Sequence, residues 1–425
     1  MRIRATGPVL ITVAALILGA CGGTGATGTP KATGTTGASS SAATSPSPTA
    51  QPACKTGTGA ALPADKDVKI GVVADIGTLQ DKNFNEYTFN GASDAATTLG
   101  ASAPTSLVPK SASEYATLVQ QMVDAGTNII VTTGFNLANA TVEAACANPD
   151  VWFVGVDQSP ICVAPSGHAD STFACKGKAA DLLPRYVSIM YQEDQPGYLA
   201  GIVAASISAS GKIGAIGGTS ACAPCIRYIQ GYELGAKSVN PAVEVNSKYV
   251  VSDFSNDAFH NAGLGKTFTE TFLTQFPGTD VMFQVAGDTG NGVLEAACAA
   301  GIHGIGVDVD QWLSLKADTT PTYNCIVTSA EKHLQVTVAA QIGQIADGTA
   351  KGGDVLFNAA NEGIGISPDH ESTPLITSEI QAKVDAALAQ MKATPPLTTC
   401  PAECGKLAPA GSPAPSGSAA PSSSP

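Results

Sequence analysis

Short apolar runs alternate with helix-forming segments along the chain between residues 68 and 391. The apolar runs are typical of strands buried on both faces of a parallel sheet. We predict strands at Val68–Asp75, Asn128–Thr133, Val151–Asp157, Tyr186–Tyr191, Lys212–Gly217, Val243–Val250, Asp280–Ala286, Gly304–Asp308 and Cys325–Ser329. We predict helices at Asn83–Leu99, Ser113–Ala125, Leu137–Ala147, Tyr198–Ser208, Cys225–Val239, Leu264–Gln275, Gly292–Ala300, Glu331–Asp347 and Ser378–Met391. This alternation predicts an α/β fold built from doubly wound parallel sheets.

The N-terminus has the pattern of an exported lipoprotein. Arg2 and Arg4 precede an apolar segment, Val9–Ala20, which has the length of a signal-peptide core and is too short for a stable membrane span. The segment ends in Leu-Gly-Ala before Cys21, which is the pattern of a lipobox. We therefore predict a signal peptide over residues 1–20 and lipidation of Cys21, which would anchor the protein on the extracytoplasmic face of the cell membrane. The alternative is an ordinary cleavage site beside a chance cysteine.

Both ends of the remaining chain are poor in residues that could be buried. Residues 21–64 are mostly Gly, Thr, Ser, Ala and Pro, and residues 408–425 are similar, so a disordered linker and a disordered tail are predicted. About 340 residues remain between them, which is more than one ordinary core holds. The folded part is therefore expected to form two lobes.

Charge and cysteine content narrow the function further. The formal charge is -13 and no basic patch is visible, which argues against nucleic acid as a partner.

Of 11 cysteines, those other than Cys21 are even in number, which favours disulfides in an exported chain. The histidines lie away from the cysteine pairs, so we expect neither a metal site nor a cofactor. The disulfide candidates are Cys162 with Cys175, Cys298 with Cys325, and Cys222 with Cys225. The last pair is a C-x-x-C motif, for which we favour a closed local disulfide over a redox centre.

The stretch Asp75-Ile-Gly-Thr-Leu-Gln-Asp81-Lys-Asn-Phe84-Asn85 follows the first predicted strand. Asp75 ends the strand, and Asp81 stands where a helix N-cap is expected. Ligands bind at the carboxyl ends of strands in open α/β sheets, and a carboxylate, an aromatic ring and a side-chain amide come together here. Such groups suit hydroxyls, a flat ring and a polar edge. The alternative is that both acids only cap the helix and that Phe84 belongs to the core.

The sequence also contains an internal repeat. Residues 141–147 (TVEAACA) precede a Gly-Val-Asp that ends at Asp157, and residues 294–299 (LEAACA) precede a Gly-Val-Asp that ends at Asp308. Two similar lobes that face each other would bring these two aspartates to opposite walls of one cleft. Chance repetition of common residues is the alternative.

The stretch at Asp75 resembles the opening signature of the basic membrane protein (PnrA-like) family. These are bacterial purine-nucleoside-binding lipoproteins that act as substrate-binding proteins of ABC importers. Further blocks that resemble the family follow in order at Tyr191–Gly201, Pro224–Gly235, Phe254 with Asp257, Phe283–Gly292, Ile305–Gln311 and Thr328–Lys332. Asp288 stands where the family usually has glycine, and Gln192–Gly197 carries extra residues and a proline.

The resemblance implies the type I periplasmic-binding-protein fold, with two doubly wound parallel-sheet lobes joined by a hinge. The first lobe would comprise residues 65–192 plus 330–361, and the second residues 193–329 plus 362–398. The chain would cross between them near residues 192–197, 329–332 and 361–368.

The resemblance further implies a site for a purine nucleoside. Its residues would be Phe84 and Phe254 stacked on the base, Asn85 and Asp75 at the base edge, and Asp157, Asp308 and Lys332 on the ribose, with the Gly287 backbone close by. Carboxylates suit hydroxyl donors and repel phosphate, which favours nucleosides over nucleotides. The plainer alternatives are a solvated Lys332, a Phe254 in the core and an Asp308 that caps a helix.

The function implied is that of a monomeric, lipid-anchored receptor, not an enzyme, that captures a purine nucleoside and delivers it to an ABC permease. Two alternatives stay open. One is a binding protein for a sugar or another small solute on the same fold. The other is a surface nucleoside-processing enzyme that uses Asp75 and Asp81, although the sequence lacks the dense acidic motif of nucleoside hydrolases.

Overall fold

The structure is a computed structural model, which describes residues 52–57, 62, 68–158, 161–253, 255–316, 321–370, 375–402 and 404–405. The predicted signal peptide, Cys21 and the predicted tail at 408–425 lie outside the described residues, as do most of the predicted linker and Phe254. Within the described ranges, no helix combines the length and the apolar character needed to cross a membrane.

Two six-stranded sheets form the framework. The strands are β1 (Ile70–Val73), β2 (Thr105–Leu107), β3 (Ile129–Thr133), β4 (Trp152–Val156), β5 (Tyr186–Tyr191), β6 (Lys212–Thr219), β7 (Glu244–Val251), β8 (Val281–Val285), β9 (His303–Asp308), β10 (Ile326–Lys332), β11 (Gly353–Phe357) and β12 (Ile364–Ile366). The first sheet has the order β11-β5-β4-β3-β1-β2 and the second β12-β10-β9-β8-β6-β7. All neighbouring strands are parallel except β12, which runs antiparallel to β10. The predicted α/β class with doubly wound parallel sheets is confirmed.

Helices cover both sheets. They are α1 (Phe84–Leu99), α2 (Tyr115–Asp124), α3 (Ala138–Ala147), α4 (Ala179–Leu182), α5 (Asp194–Ile207), α6 (Ala223–Val239), α7 (Ala262–Gln275), α8 (Gly287–Ala299), α9 (Gln311–Lys316), α10 (Leu334–Ala346) and α11 (Ser378–Met391). The central strands are buried on both faces as a result, which is why they read as continuous apolar runs.

Three predicted helix starts are wrong by three residues or more. The helix predicted from Tyr198 begins at Asp194, where the chain changes sheets. The helix predicted from Glu331 begins at Leu334, because β10 continues to Lys332 by pairing with β12. The helix predicted from Gly292 begins at Gly287, within the glycine-rich turn itself. The short elements β2, β11, β12, α4 and α9 were not predicted.

The chain passes from one sheet to the other three times. The changes fall between β5 and β6, between β10 and β11, and between β11 and β12. The lobe boundaries expected at 192/193, 329/330 and 361/362 stay a prediction.

Helices α5 and α6 pack against each other at the first of these changes. A Cβ on Gly201 would overlap the carbonyl oxygen of Tyr232, and one on Gly235 would overlap that of Tyr198. The two backbones therefore approach this closely because glycines stand at the contact. The packing fixes the first turns of α6, which carry Arg227 and Tyr228.

Five disulfides occur among the described residues. They are Cys54–Cys146, Cys162–Cys175, Cys222–Cys225, Cys298–Cys325 and Cys400–Cys404. The first holds part of the predicted linker on the first lobe, where the N–H of Cys54 also donates to the Ser166 carbonyl at 3.0 Å.

Candidate functional site

A cavity lies between the two sheets, where the carboxyl ends of their strands meet. It is lined from the first lobe by Asp157, which directly follows β4, and by Asp75, which comes two residues after the end of β1. It is lined from the second sheet by Asp308 and Lys332, which end β9 and β10. Each strand delivers its last polar side chain to the same place, as the topology of open α/β sheets requires.

Lys332 lies at the centre of a buried group of charges. Its Nζ is 2.5 Å from Asp157 Oδ2, 3.3 Å from Glu193 Oε1 and 3.7 Å from Asp308 Oδ1. Only 3% of Lys332 is exposed, so the alternative of a solvated lysine is excluded. The contact with Asp157 joins the second sheet to the first.

Glu193 and Arg227 complete this group, and neither was predicted as a site residue. Arg227 Nε donates to Glu193 Oε2 at 2.6 Å, and Glu193 is 1% exposed. Both residues lie in blocks that resemble the family, but their pairing depends on the contact between α5 and α6. Three carboxylates therefore face two cations within the cluster.

The backbone at both aspartates has the left-handed conformation. The φ angle is 59° at Asp157 and 64° at Asp308. Aspartate tolerates this conformation better than most residues, but at a cost that is typical of functional sites. The alternative role for Asp308, that of a helix cap, finds no support, since its Oδ1 accepts from the Tyr228 hydroxyl at 3.2 Å.

Burial and mutual attraction shift the pKa values of these charged groups in opposite directions. Burial raises the pKa of Asp157 to about 6 despite the nearby lysine, and it also raises the pKa of Asp308. Burial alone would lower the pKa of Lys332, but attraction to Asp157, Glu193 and Asp308 raises it above its ordinary value. Lys332 is therefore cationic at neutral pH, and the carboxylates are held in place by it.

The Asp75 end of the cavity lies two strands away from Asp157 in the first sheet. The Asp75 carboxylate accepts hydrogen bonds from the Tyr115 hydroxyl and from Asn136 Nδ2, the latter at 3.0 Å. Asn85 Oδ1 accepts from the Asp75 N–H at 3.2 Å and from the Thr133 hydroxyl at 2.8 Å. Both acceptor directions of this amide oxygen are used inside the protein, so Asn85 offers the cavity its NH₂ group as a donor.

Asp81 holds this end of α1 in place. Its carboxylate accepts from the backbone N–H groups of Asn83 and Asn85, both at 2.9 Å, and of Glu86 at 3.1 Å. Its carbonyl accepts from Asn291 Nδ2 of the second lobe at 3.1 Å. Asp81 thus supports the site through the backbone, as a cap does, and it links the two lobes.

Aromatic rings from both lobes line the cavity. Phe84 comes from the start of α1, and Phe259 comes from the loop between β7 and α7. Phe259 contacts Phe135 of the first lobe edge to face, with ring centroids 6.1 Å apart. Phe254, expected to stack on the base, lies outside the described residues, whereas Phe259, five positions further on, was not predicted.

Two further features of the wall concern the glycine-rich turn and the cysteine pair. Gly287 has a φ angle of 54°, and a Cβ there would lie 3.2 Å from the Phe259 carbonyl oxygen. Asp288, the departure from the family pattern, bonds to Asn291 at 3.1 Å. The Cys222–Cys225 disulfide lines the cavity at the N-terminus of α6.

Two groups of potential metal ligands occur in the described part of the chain. One comprises Cys54, Cys146 and His168, and the other Asp194, Cys400 and Cys404. In each group both sulfurs belong to one disulfide, so neither offers a thiolate.

Comparison with known proteins agrees with this geometry. The family model for "ABC transporter substrate-binding protein PnrA-like" matches residues 68–394. The ABC transporter nucleoside-binding protein BmpA of Lactococcus lactis is 27% identical over 342 residues, which cover 77% of this chain and 89% of that protein. Basic membrane protein B of Borreliella burgdorferi is 29% identical over 258 residues, 58% of this chain and 67% of that protein.

Solved structures show the same architecture. A solute-binding protein of an ABC transporter system from Aeropyrum pernix superposes with a TM-score of 0.58 at 24% identity, covering 78% of this chain and 83% of that one. The two-lobed periplasmic-binding fold is thereby confirmed, as is the resemblance seen in the sequence. The chain belongs to the family of PnrA-like substrate-binding proteins of ABC transporters, the basic membrane protein family.

Proposed function

We propose that this protein is a lipid-anchored extracytoplasmic receptor that captures a purine nucleoside in the cleft and delivers it to an ABC import permease. The proposal rests chiefly on one observation, namely that carboxylates suited to hydroxyls and side chains suited to a flat base line a single cavity. A relative that covers most of the chain is named as a nucleoside-binding protein, which supports the same ligand class.

The ribose would lie at the charged end. Asp157 and Asp308 present carboxylate oxygens, which accept hydrogen bonds from sugar hydroxyls, and Lys332 presents an ammonium to hydroxyl oxygens. Phosphate would be repelled, because three carboxylates in the cluster outnumber its two cations. The cluster therefore favours a nucleoside over a nucleotide.

The base would lie at the Asp75 end. The free NH₂ of Asn85 suits an acceptor on the base edge, and the Asp75 carboxylate suits an N–H donor. Phe84 and Phe259 offer ring faces or edges to a flat heterocycle, and stacking on a base is worth about 1–3 kcal/mol in nucleic-acid systems. Phe254 stays a predicted second stacking residue.

The test compares how two substitutions change the affinity for nucleosides and for the free base. Affinities are measured by titration calorimetry with inosine, guanosine, adenosine, hypoxanthine and ribose. Phe84→Ala should weaken nucleoside and free base alike, by about tenfold to a hundredfold. Asp308→Asn should weaken the nucleosides by a similar factor and leave hypoxanthine nearly unchanged, because only the nucleosides carry ribose. Asp253→Asn serves as the matched control, because Asp253 is an exposed acid of the second lobe.

Three outcomes would contradict the proposal. Wild-type protein that ignores every purine nucleoside and binds ribose would indicate a sugar receptor on this fold. Turnover of inosine would indicate an enzyme. If Asp308→Asn, like Phe84→Ala, weakened the affinity for nucleoside and free base equally, the base and the ribose would not be bound by separate groups of residues.

The anchoring part rests on Cys21 and is tested separately. Cys21→Ala should release the protein from membranes or leave it unprocessed. Retention of a cleaved Cys21→Ala variant on membranes would contradict this part and leave ligand binding untouched.

A further inference from the structure

A second cavity adjoins the first at the Asp75 end. The two share the residues Asp75, Phe259 and His260 as a common wall. The first holds about 610 Å³ of space free of protein atoms and the second about 1070 Å³, part of each being open to solvent. The second therefore provides room beyond the end at which the base would lie.

The residues of the common wall line both cavities, and their hydrogen-bond partners lie on either side. The carboxylate of Asp75 is bonded to Tyr115 and Asn136, which both line the second cavity. The N–H of Asp75 is bonded to Asn85, which lines the first. None of Asp157, Asp308 and Lys332 lines the second cavity, so it communicates with the base end and not with the ribose end.

His260 forms the second-lobe side of this wall. It packs against the turn at Gly77, where the φ angle is 125° and a Cβ would overlap His260 Nδ1. Nδ1 is buried, and no hydrogen-bond partner for it occurs among the described residues. Burial lowers the pKa of His260 to about 4, so the ring is neutral at physiological pH and has both a donor and an acceptor nitrogen.

The rest of the second cavity mixes polar and apolar groups. Its walls carry the hydroxyls of Ser113 and Ser255 and the amide of Asn139, beside the apolar side chains of Ile76, Ala112, Ala116 and Ala140. Ser113, Asn139 and Ser255 are exposed to solvent. Such a lining suits a short chain whose methylene groups contact the apolar walls and whose end carries a hydroxyl or an amine.

We propose that the second cavity extends the nucleoside site and takes a short polar substituent carried on the edge of the base. The inference rests on the proposed function, since it needs a base at Asp75. It adds a specificity: the protein should accept purine nucleosides enlarged at the base edge and reject those enlarged at the ribose 5′ position. His260 would then be the residue that meets the substituent as it passes from one cavity into the other.

The test compares three ligands on the wild-type protein by calorimetry. The parent ligand is adenosine or guanosine, whichever binds more tightly. The second ligand carries a 2-hydroxyethyl group on the exocyclic nitrogen of the parent, and the third carries the same group on its 5′ oxygen. The base-extended ligand should bind within about threefold of the parent, whereas the 5′-extended ligand should lose at least about tenfold. Equal loss for both extended ligands, with the parent bound, would overturn the inference and leave the proposed function standing. Failure of the parent itself to bind would overturn the proposed function and the inference together.

A variant that fills the second cavity adds an independent readout. Ser113→Trp should weaken the base-extended ligand by at least about tenfold and leave the parent within about twofold. Thr117→Trp is the matched control, because Thr117 is also exposed on the adjoining helix α2 but does not line this cavity. Comparable melting temperatures would show that both variants are folded. A Ser113→Trp variant that binds the extended ligand as the control does would contradict the placement of the substituent.

Discussion

The two Gly-Val-Asp turns of the molecule share a backbone and differ in what they touch. In each, a parallel strand runs into an aspartate with a left-handed backbone, at φ 59° for Asp157 and 64° for Asp308. In each, the preceding helix carries a disulfide-bonded cysteine in its last turn, Cys146 in α3 and Cys298 in α8. The repeat seen in the sequence is thus a repeat of structure.

Their partners are unequal. Asp157 lies 2.5 Å from the ammonium of Lys332 across the cleft, and its Oδ1 is buried without a hydrogen-bond partner among the described residues. Asp308 lies 3.7 Å from the same ammonium, on its own sheet, and is bonded to Tyr228 at 3.2 Å. We conclude that one turn fastens the two lobes together through Lys332, whereas the other mainly shapes the wall of the second lobe.

Removal of the shared lysine should have the largest effect on this comparison. Lys332→Met leaves the carboxylates of Asp157 and Asp308 buried without their common cation, and breaking a buried ion pair in this way typically costs about 3–5 kcal/mol. Chemical denaturation of the ligand-free protein would measure it. Lys266→Met is the control, because the pair formed by Lys266 and Glu295 is exposed to solvent and its loss should change stability little. Equal losses for both variants would mean that the cluster does not hold the lobes.

Separate neutralisation of the two aspartates should sharpen the difference between the turns. Asp157→Asn should be no less stable than the wild type at pH 7, because the neutral amide avoids the burial cost that raises the pKa of Asp157, and this offsets the weaker contact with Lys332. Asp308→Asn should cost less than about 1 kcal/mol, because its ion pair with Lys332 is longer and the new amide oxygen can still accept from Tyr228. Unfolding in denaturant at pH 7 gives both values, and a loss of more than about 1.5 kcal/mol for Asp157→Asn would show that its contact with Lys332 outweighs the burial cost.

The pH dependence of stability should follow Asp157. Burial raises its pKa in the folded protein to about 6 from an ordinary 3.8, so between these values the folded state binds more protons than the unfolded state. Above pH 6 the buried, charged carboxylate of Asp157 lowers the stability of the folded state by its full amount. Protonation removes this cost as the pH falls. Stability should accordingly gain about 1 kcal/mol from this residue between pH 7 and pH 5.5. Asp157→Asn should abolish that gain, and an unchanged pH profile in the variant would assign the titration to another group.

The smallest effect concerns the shared backbone. At a left-handed position alanine is strained and glycine is not, so Asp→Gly should be more stable than Asp→Ala by about 1 kcal/mol. The difference should be the same at Asp157 and Asp308, because it depends on φ and not on the partners. Thermal unfolding of the four variants would reveal it, and a difference at only one turn would show that the two backbones are not equivalent in solution.

Sequence alone could locate much of the site because so many of its groups are the last residues of strands. Asp75, Asp157 and Asp308 each follow an apolar run, and parallel strands deliver such residues to one edge of a sheet. The same logic gave the α/β class and most helix positions. It needed only local patterns and the rule that carboxyl ends of strands converge.

The rest depends on contacts that no local pattern contains. Lys332 lies on a strand and not on a helix because β12, which is short and distant in sequence, pairs with β10. Glu193 and Arg227 meet because glycines let α5 and α6 approach closely. Phe259 and His260 lie in a loop without hydrophobic periodicity, so nothing in the sequence marked them as facing the cavity.

The bond between Cys54 and Cys146 has a mechanical consequence. Tension applied to any part of the chain before Cys54 passes through that bond into the end of α3. It does not have to travel along the backbone to the start of β1. A load of this kind is therefore borne by the first lobe and does not pass through the segments that connect it to the second lobe.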